Sequence, residues 1–294
     1  MIRYPYDDDA VEKATAELDK KWRQKATMRT SRFARLGRYE ESTAIWSKVK
    51  PIFMKLQHNK CVFCEQALEG GLYGPVTWDL EHFRPKSNVA AWPDPDKHPE
   101  ITYHEHLGLG SDVGYYWLAY ELRNYAASCK ICNSIFKLNF FPIGADRAAP
   151  ECAVEELRTE EAFLCYPLGE IDDDPEEIVT FMLTTAVPKH KSGRQALRGR
   201  IIIDFFGLNK RDHLHRERAR IIGAAGALLQ ERDLGVANAK TLAALERLQE
   251  PHIPHAACMR SFLRLWEKDP LTARRGYEVC RLYAFDSTTA PPRL

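Results

Sequence analysis

The sequence predicts an α+β protein in which a small cysteine-stapled core is embedded in a mainly helical chain. Three observations carry this expectation. Two C-x-x-C pairs, Cys61–Cys64 and Cys129–Cys132, stand far apart in the chain. Between them, turn-forming residues displace helical periodicity. On either side, apolar residues return at helical spacing. The chain then divides into N-terminal basic helices (1–58), the stapled core (59–145) and a mainly helical C-terminal region (146–294).

Asp9 with Glu12 reads as a capping box that opens a first helix, and Val11, Ala14, Leu18 and Trp22 follow at helical spacing. Ile45, Val49, Phe53 and Leu56 predict a second helix, bent or restarted at Pro51. In the core, Gly70-Gly71, Gly74-Pro75 and Pro93-Asp94-Pro95 are turn signals, and 76–80 reads as a short strand. The stretch 93–114, rich in Pro, His and Gly, reads as a surface insertion. Tyr115 to Leu122 reads as an aromatic helical segment, and Cys129 to Lys137 as the start of another helix. The acidic stretch 170–177 makes a loop or boundary. Beyond it, helical spacing recurs over 201–208, 214–229, 242–248, 262–266 and 279–285.

The chain has 294 residues, of which 45 % are hydrophobic and 28 % charged, enough apolar content for a full core. No apolar run is long enough for a membrane span. The opening Met-Ile-Arg-Tyr-Pro-Tyr has no apolar run and does not read as a signal peptide. A cytoplasmic setting is expected, where thiols stay reduced and paired cysteines are metal ligands. The net charge of +1 is uninformative, but its distribution is uneven. Residues 20–60 hold twelve Lys or Arg against two Glu, and residues 151–177 hold eleven acids against one Arg. Residues 194–220 turn basic again. Such a run, taken alone, is a solvated helix face; beside a site it can hold a phosphate backbone.

Each C-x-x-C pair can place two thiolates on one tetrahedral zinc, and Cys61, Cys64, Cys129 and Cys132 together close the shell. A closed sulfur shell leaves no open position, so this Zn²⁺ would be structural. The rival for either pair alone is a redox C-x-x-C. Cys152, Cys165, Cys258 and Cys280 lack such spacing and read as buried thiols. Between the pairs, Glu81 and His82 end the predicted strand. Asn124 precedes Cys129, Asn133 follows Cys132, and Lys137 lies one helical turn on. Glu81 and the Asn133 amide offer oxygens to a hard cation, Mg²⁺ or Mn²⁺. A histidine can take a proton from water near neutral pH. Together these are the side chains of metal-assisted phosphodiester hydrolysis.

The order C-x-x-C, Glu-His-x-x-Pro, Asn-x4-Cys-x-x-Cys-Asn-x3-Lys resembles the HNH endonucleases, whose core is the ββα-metal fold. That resemblance implies His82 as the general base, Glu81 and Asn133 as ligands of the catalytic metal, and Asn124 as the residue orienting the loop and the histidine. Asn133 stands where the family often has His, which favours oxygen-ligated Mg²⁺ or Mn²⁺ over an imidazole-rich transition-metal site. Glu81-His82-Phe83-Arg84-Pro85-Lys86-Ser87, Trp117, Cys132-Asn133-Ser134, Lys137 and Phe141-Pro142 are closer still to one bacterial anti-phage subfamily. This is the HNH component of Septu-type and some retron-linked systems. Asp173-Asp174-Pro175-Glu176-Glu177, Gly207-Leu208-Asn209-Lys210, Leu214 and Arg218 extend the likeness over roughly residues 50 to 225. It implies an AAA- or ABC-like ATPase partner and a nucleic-acid substrate, with DNA favoured over RNA.

Arg84, Lys86 and Lys137 are the candidate phosphate contacts; the alternative for each is an ordinary surface charge. His104 and His106 read as exposed loop residues, and His213 and His215 as surface or packing residues. Tyr115, Tyr116, Trp117 and Tyr120 read as core rather than as stacking platforms. Singly, Glu-His or either Asn is a commonplace surface, cap or core feature, so the conjunction carries the reading. Two rival functions remain. One is a non-catalytic zinc-stapled nucleic-acid- or partner-binding module, with no dependence on Mg²⁺. The other is a subunit that cuts only when docked on its ATPase.

Overall fold

The structure is a computed structural model that describes residues 1–70, 77–286 and 291. The expected turns at Gly71 and Gly74-Pro75, and Val76 of the expected strand, lie outside the described residues. The chain divides into two compact units, each assembled from separated stretches. They cut across the three-part division expected from the sequence.

One unit comprises Pro5–Asn59 and Glu69–Asp172. It opens with α1 (Asp8–Leu18), capped by Asp7, which accepts from the Ala10 amide at 2.7 Å. The cap therefore sits two residues before the expected Asp9, and Glu12 pairs with Arg23 instead of closing a capping box. Asp19 ends the helix in extended backbone, so Trp22 starts α2 (Trp22–Leu36) rather than ending α1. Many cations of the basic run 20–60 are matched by acids: Arg23 by Glu12, Lys25 and Lys48 by Asp19, Arg29 by Glu41, and Arg38 by Glu40.

A 3-10 turn (Trp46–Val49) runs into α3 (Lys50–Leu56), whose first turn holds Pro51. Pro51 restarts the helix as expected, since its missing N–H costs nothing there. Strand β1 (Trp78–His82) pairs antiparallel with β2 (Tyr125–Cys129), placing His82 opposite Tyr125 and Trp78 opposite Cys129. Every residue of β2 is buried. The Gln57 amide donates to and accepts from Ala127, both at 2.7 Å, satisfying backbone groups of β2 with a side chain. A helical segment follows β2 and includes one π-helical stretch, Cys132–Lys137. The 93–114 stretch has no regular element, and Val89 and Ser111 close its base. The aromatic segment is two 3-10 turns, Tyr116–Leu118 and Leu122–Asn124, rather than one helix. Tyr115, Tyr116 and Tyr120 are core residues.

The other unit comprises Met1–Tyr4, Lys60–Leu68 and Asp173–Leu294. The acidic boundary holds: Asp174 caps the short α4 (Pro175–Ile178). A hairpin, β3 (Val179–Met182) with β4 (Thr185–Pro188), comes next. Five helices then follow: α5 (Gly193–Phe205), α6 (Asp212–Asp233), α7 (Ala239–Arg247), α8 (Ala256–Lys268) and α9 (Pro270–Tyr283). The apolar faces of α6 to α9 meet around Ile222, Leu229, Met259, Phe262, Trp266 and Tyr277. His215 is buried among hydrogen bonds to Thr184 and the Asn209 carbonyl, while His213 is exposed, as are His104 and His106 in the first unit. Among the described residues, no helix is long and apolar enough to cross a membrane.

Candidate active site

In the first unit, β1, the loop after it and the π-helical stretch surround an open cleft of about 410 Å³. Its lining includes Asp79, Glu81, His82, Lys86 and Asn133, with Trp46 and Lys50 opposite in sequence origin. Four of the residues singled out in the sequence therefore share one cavity: Glu81, His82, Lys86 and Asn133. Asn124, Lys137 and Arg84 do not line it.

His82 is the most constrained of these side chains. Its Nε2 lies 3.0 Å from the Ala119 carbonyl, which can only accept, so Nε2 carries the proton and Nδ1 keeps its lone pair. The Tyr125 hydroxyl donates to the same carbonyl at 2.6 Å. The imidazole stands edge-to-face with Trp46 at 4.9 Å and with Tyr125 at 5.0 Å. Burial, seconded by the Lys86 ammonium, holds its pKa well below the usual imidazole range. At neutral pH the His82 imidazole is thus neutral and held in one tautomer.

Glu81 is buried, and its Oε1 lies 3.4 Å from the Lys137 ammonium. Burial raises the Glu81 pKa, against the pull of Lys137; burial likewise lowers that of Lys137. The Lys137 ammonium is fully enclosed, pairs with Glu81 and does not line the cleft. Two residues along the same strand, Asp79 pairs with Lys50 at 2.9 Å and with Lys130. Sequence reasoning passed over Asp79, although alternation along a strand puts residues 79 and 81 on one face.

Asn124 pins the loop that follows His82. Its Oδ1 accepts from the Arg84 amide at 2.7 Å, and its Nδ2 donates to the Arg84 and Leu118 carbonyls at 3.0 and 3.2 Å. Gly114 holds the next stretch: its φ is +56°, and a Cβ there would lie 2.7 Å from the Pro85 carbonyl oxygen. Asn124→Ala should therefore cost about 2–3 kcal/mol of stability, because it strands buried backbone groups. Urea unfolding measures this; a midpoint equal to wild type would show that the loop does not depend on Asn124. Arg84 turns away from the cleft. Its Nε meets Glu160 at 3.1 Å, its guanidinium donates to the Leu157 carbonyl, and it lies 4.9 Å over the Phe141 ring. Lys86 is partly exposed at the cleft, 4.8 Å over the Trp46 ring.

The four cysteines Cys61, Cys64, Cys129 and Cys132 are all buried, and their sulfurs lie within 4.8 Å of one another. The first pair sits in a tight turn, with the Glu65 amide bonded to the Cys61 carbonyl and Glu65 at φ +61°. In the second, the Cys132 amide donates to the Cys129 sulfur at 3.3 Å. Zinc–sulfur bonds of about 2.3 Å require sulfurs roughly 3.8 Å apart, so the cluster fits a tetrahedral zinc with small adjustments. No disulfide competes for these thiols.

Comparison with known proteins adds one sequence relative. The Septu protein PtuB of Bacillus mycoides is 31 % identical over 173 residues, which is 59 % of this chain and 50 % of the relative. The chain thus spans about half the length of the curated relative it matches. No family model and no solved structure matches the chain.

Proposed function

We propose that this chain is a metal-dependent HNH-type endonuclease of Septu-type anti-phage defence, working in the cytoplasm with an AAA- or ABC-like ATPase on a nucleic acid, DNA favoured. The observation that carries the reading is the cleft itself. An oriented neutral histidine, a buried carboxylate and an amide meet there, on an antiparallel strand pair followed by a helical segment. This arrangement is what a ββα-metal core requires. The Septu relative and the motif resemblance support the same biological setting independently of the cleft.

In this reading the Nδ1 of His82 takes a proton from water as the water oxygen attacks phosphorus. The bond from phosphorus to the 3′ oxygen breaks, leaving a 5′ phosphate and a 3′ oxygen that takes its proton from solvent water. Ala119 keeps the imidazole in the right tautomer, and Asn124 fixes the loop beside it. Glu81 and Asn133 are the residues that would hold Mg²⁺ or Mn²⁺; both line the cleft and their oxygens suit a hard cation. When bound, that cation supplies charge neutralisation for the phosphoryl and leaving oxygens. Lys86, at the cleft, faces the substrate phosphates. Arg84 and Lys137 act behind it, Arg84 through Glu160 and Lys137 through Glu81. Zinc on Cys61, Cys64, Cys129 and Cys132 serves structure alone.

The test is cleavage of supercoiled plasmid by the purified chain with Mg²⁺, Mn²⁺ or EDTA, with and without the product of the neighbouring gene. Nicking that requires the cation supports the nuclease. Nicking seen only with the second protein supports the docked, partner-gated form. No nicking in any arm, with nucleic acid still bound, would establish the binding module instead.

A further inference from the structure

Trp46 and Lys50 enter the cleft from a segment that precedes β1 by some thirty residues in the chain. They sit four residues apart on one continuous helical run, the 3-10 turn leading into α3. Both line the cleft. Trp46 is partly exposed there, and its ring centroid is 4.9 Å from that of His82. The ring packs against Tyr39 at 6.1 Å and Tyr120 at 5.9 Å. Tyr120 is itself fixed by hydrogen bonds with Glu41, Arg29 and the Ile45 amide. This indole is therefore a braced platform and not a loose surface side chain.

The Lys86 ammonium lies over the Trp46 ring at 4.8 Å. The same ammonium lies 5.3 Å over the Tyr39 ring, so a base stacking on this face would take the place of Lys86 and leave its charge to a phosphate. Lys50 meanwhile is held by Asp79 at 2.9 Å, a partner that a phosphate can replace. The cleft, at about 410 Å³, falls within the roughly 300–1,000 Å³ of sites that enclose an organic ligand, and exceeds what a bare phosphate needs.

We infer that Trp46 and Lys50 form a nucleotide subsite in which a base, unstacked from its neighbours, lies on the Trp46 ring while Lys50 and Lys86 take the adjacent phosphates. This rests on the nuclease reading for its substrate, but not on cleavage. A base in a regular duplex is already stacked on both faces and cannot meet a side-chain ring. The subsite therefore selects single-stranded, bulged or frayed nucleic acid over intact duplex. Its nearness to His82 puts the selected nucleotide beside the base that would activate water.

The test is binding in EDTA, so that no chemistry intervenes. Fluorescence anisotropy compares a labelled single-stranded DNA, the same strand as RNA, the same strand as a DNA duplex, and a duplex with one bulged base. Wild type should prefer the single-stranded and bulged forms. Trp46→Ala should lose roughly ten-fold or more on those forms, within the range for one stacked base, and little on duplex. Trp46→Phe should restore most of the loss, and Lys50→Ala should weaken binding and flatten its salt dependence. Should Trp46→Ala fold poorly, Trp fluorescence decides: single strands should quench the wild type and leave Trp46→Phe less quenched. Equal affinity for duplex and single strand, or no effect of Trp46 by either readout, overturns the subsite while leaving the nuclease reading intact. Binding with these preferences but no cleavage in Mg²⁺ or Mn²⁺ upholds the subsite and removes the nuclease. No binding to any of these nucleic acids overturns the subsite, and the nicking assay with the second protein then decides the nuclease reading alone.

Discussion

His82→Ala should cut at least about 100-fold more slowly than wild type, the lower end of what a positioned general base contributes. It should do so without unfolding. The residue removed is buried, but the backbone group it bonds is not left alone, because the Ala119 carbonyl also accepts from Tyr125. Near-ultraviolet circular dichroism and zinc content should match wild type, while plasmid nicking in Mg²⁺ disappears. An unfolded or zinc-free His82→Ala protein would make the histidine a packing residue of the Trp46–Tyr125 cluster. A folded variant that still cuts at the wild-type rate would remove it from the chemistry. Nucleic-acid binding in EDTA should be almost unchanged, since the imidazole carries no charge to lose.

Cys61→Ser should act in the reverse order, on stability first and on activity only as a consequence. Structural zinc contributes about 10–16 kcal/mol to folding in small zinc domains, and removing one of four thiolates forfeits much of that. A loss above about 3 kcal/mol is expected here, because much of the fold has its own apolar core. Metal content by atomic emission should fall with the unfolding midpoint. Cys152→Ser is the control: it is partly exposed and outside the cluster, so its effect should stay within about 0.5 kcal/mol. A Cys61→Ser protein as stable and as active as wild type would mean that the four sulfurs do not hold a structural metal.

What the sequence made legible follows from how local each signal is. The cysteine pairs, Glu81-His82 and Asn133 could be read because their chemistry is written within four-residue windows. Trp46 and Lys50 could not, since nothing near them announces that α3 will face a strand more than twenty residues further on. The roles of Arg84 and Lys137 were equally hidden. Both are cations beside the motif, yet burial decides their partners, and burial is not printed in a charge pattern. The helices from α5 to α9 were legible from their apolar spacing. The hairpin β3–β4 was missed because its turn lacks glycine, asparagine and proline. Leu183 takes the left-handed conformation there, at φ +51°, and its side chain is buried in the helical core of that unit. Packing supplies what turn chemistry does not.

The hydrogen bond from His82 to Ala119 also decides how the site must reset. A carbonyl oxygen receives a proton bond but has no proton of its own to pass on. The imidazole is therefore a dead end and not a relay: whatever Nδ1 picks up must go back the way it came. Recovery of the base would then be tied to departure of the cut strand, and small buffer molecules able to reach the emptied cleft should hasten the next cycle.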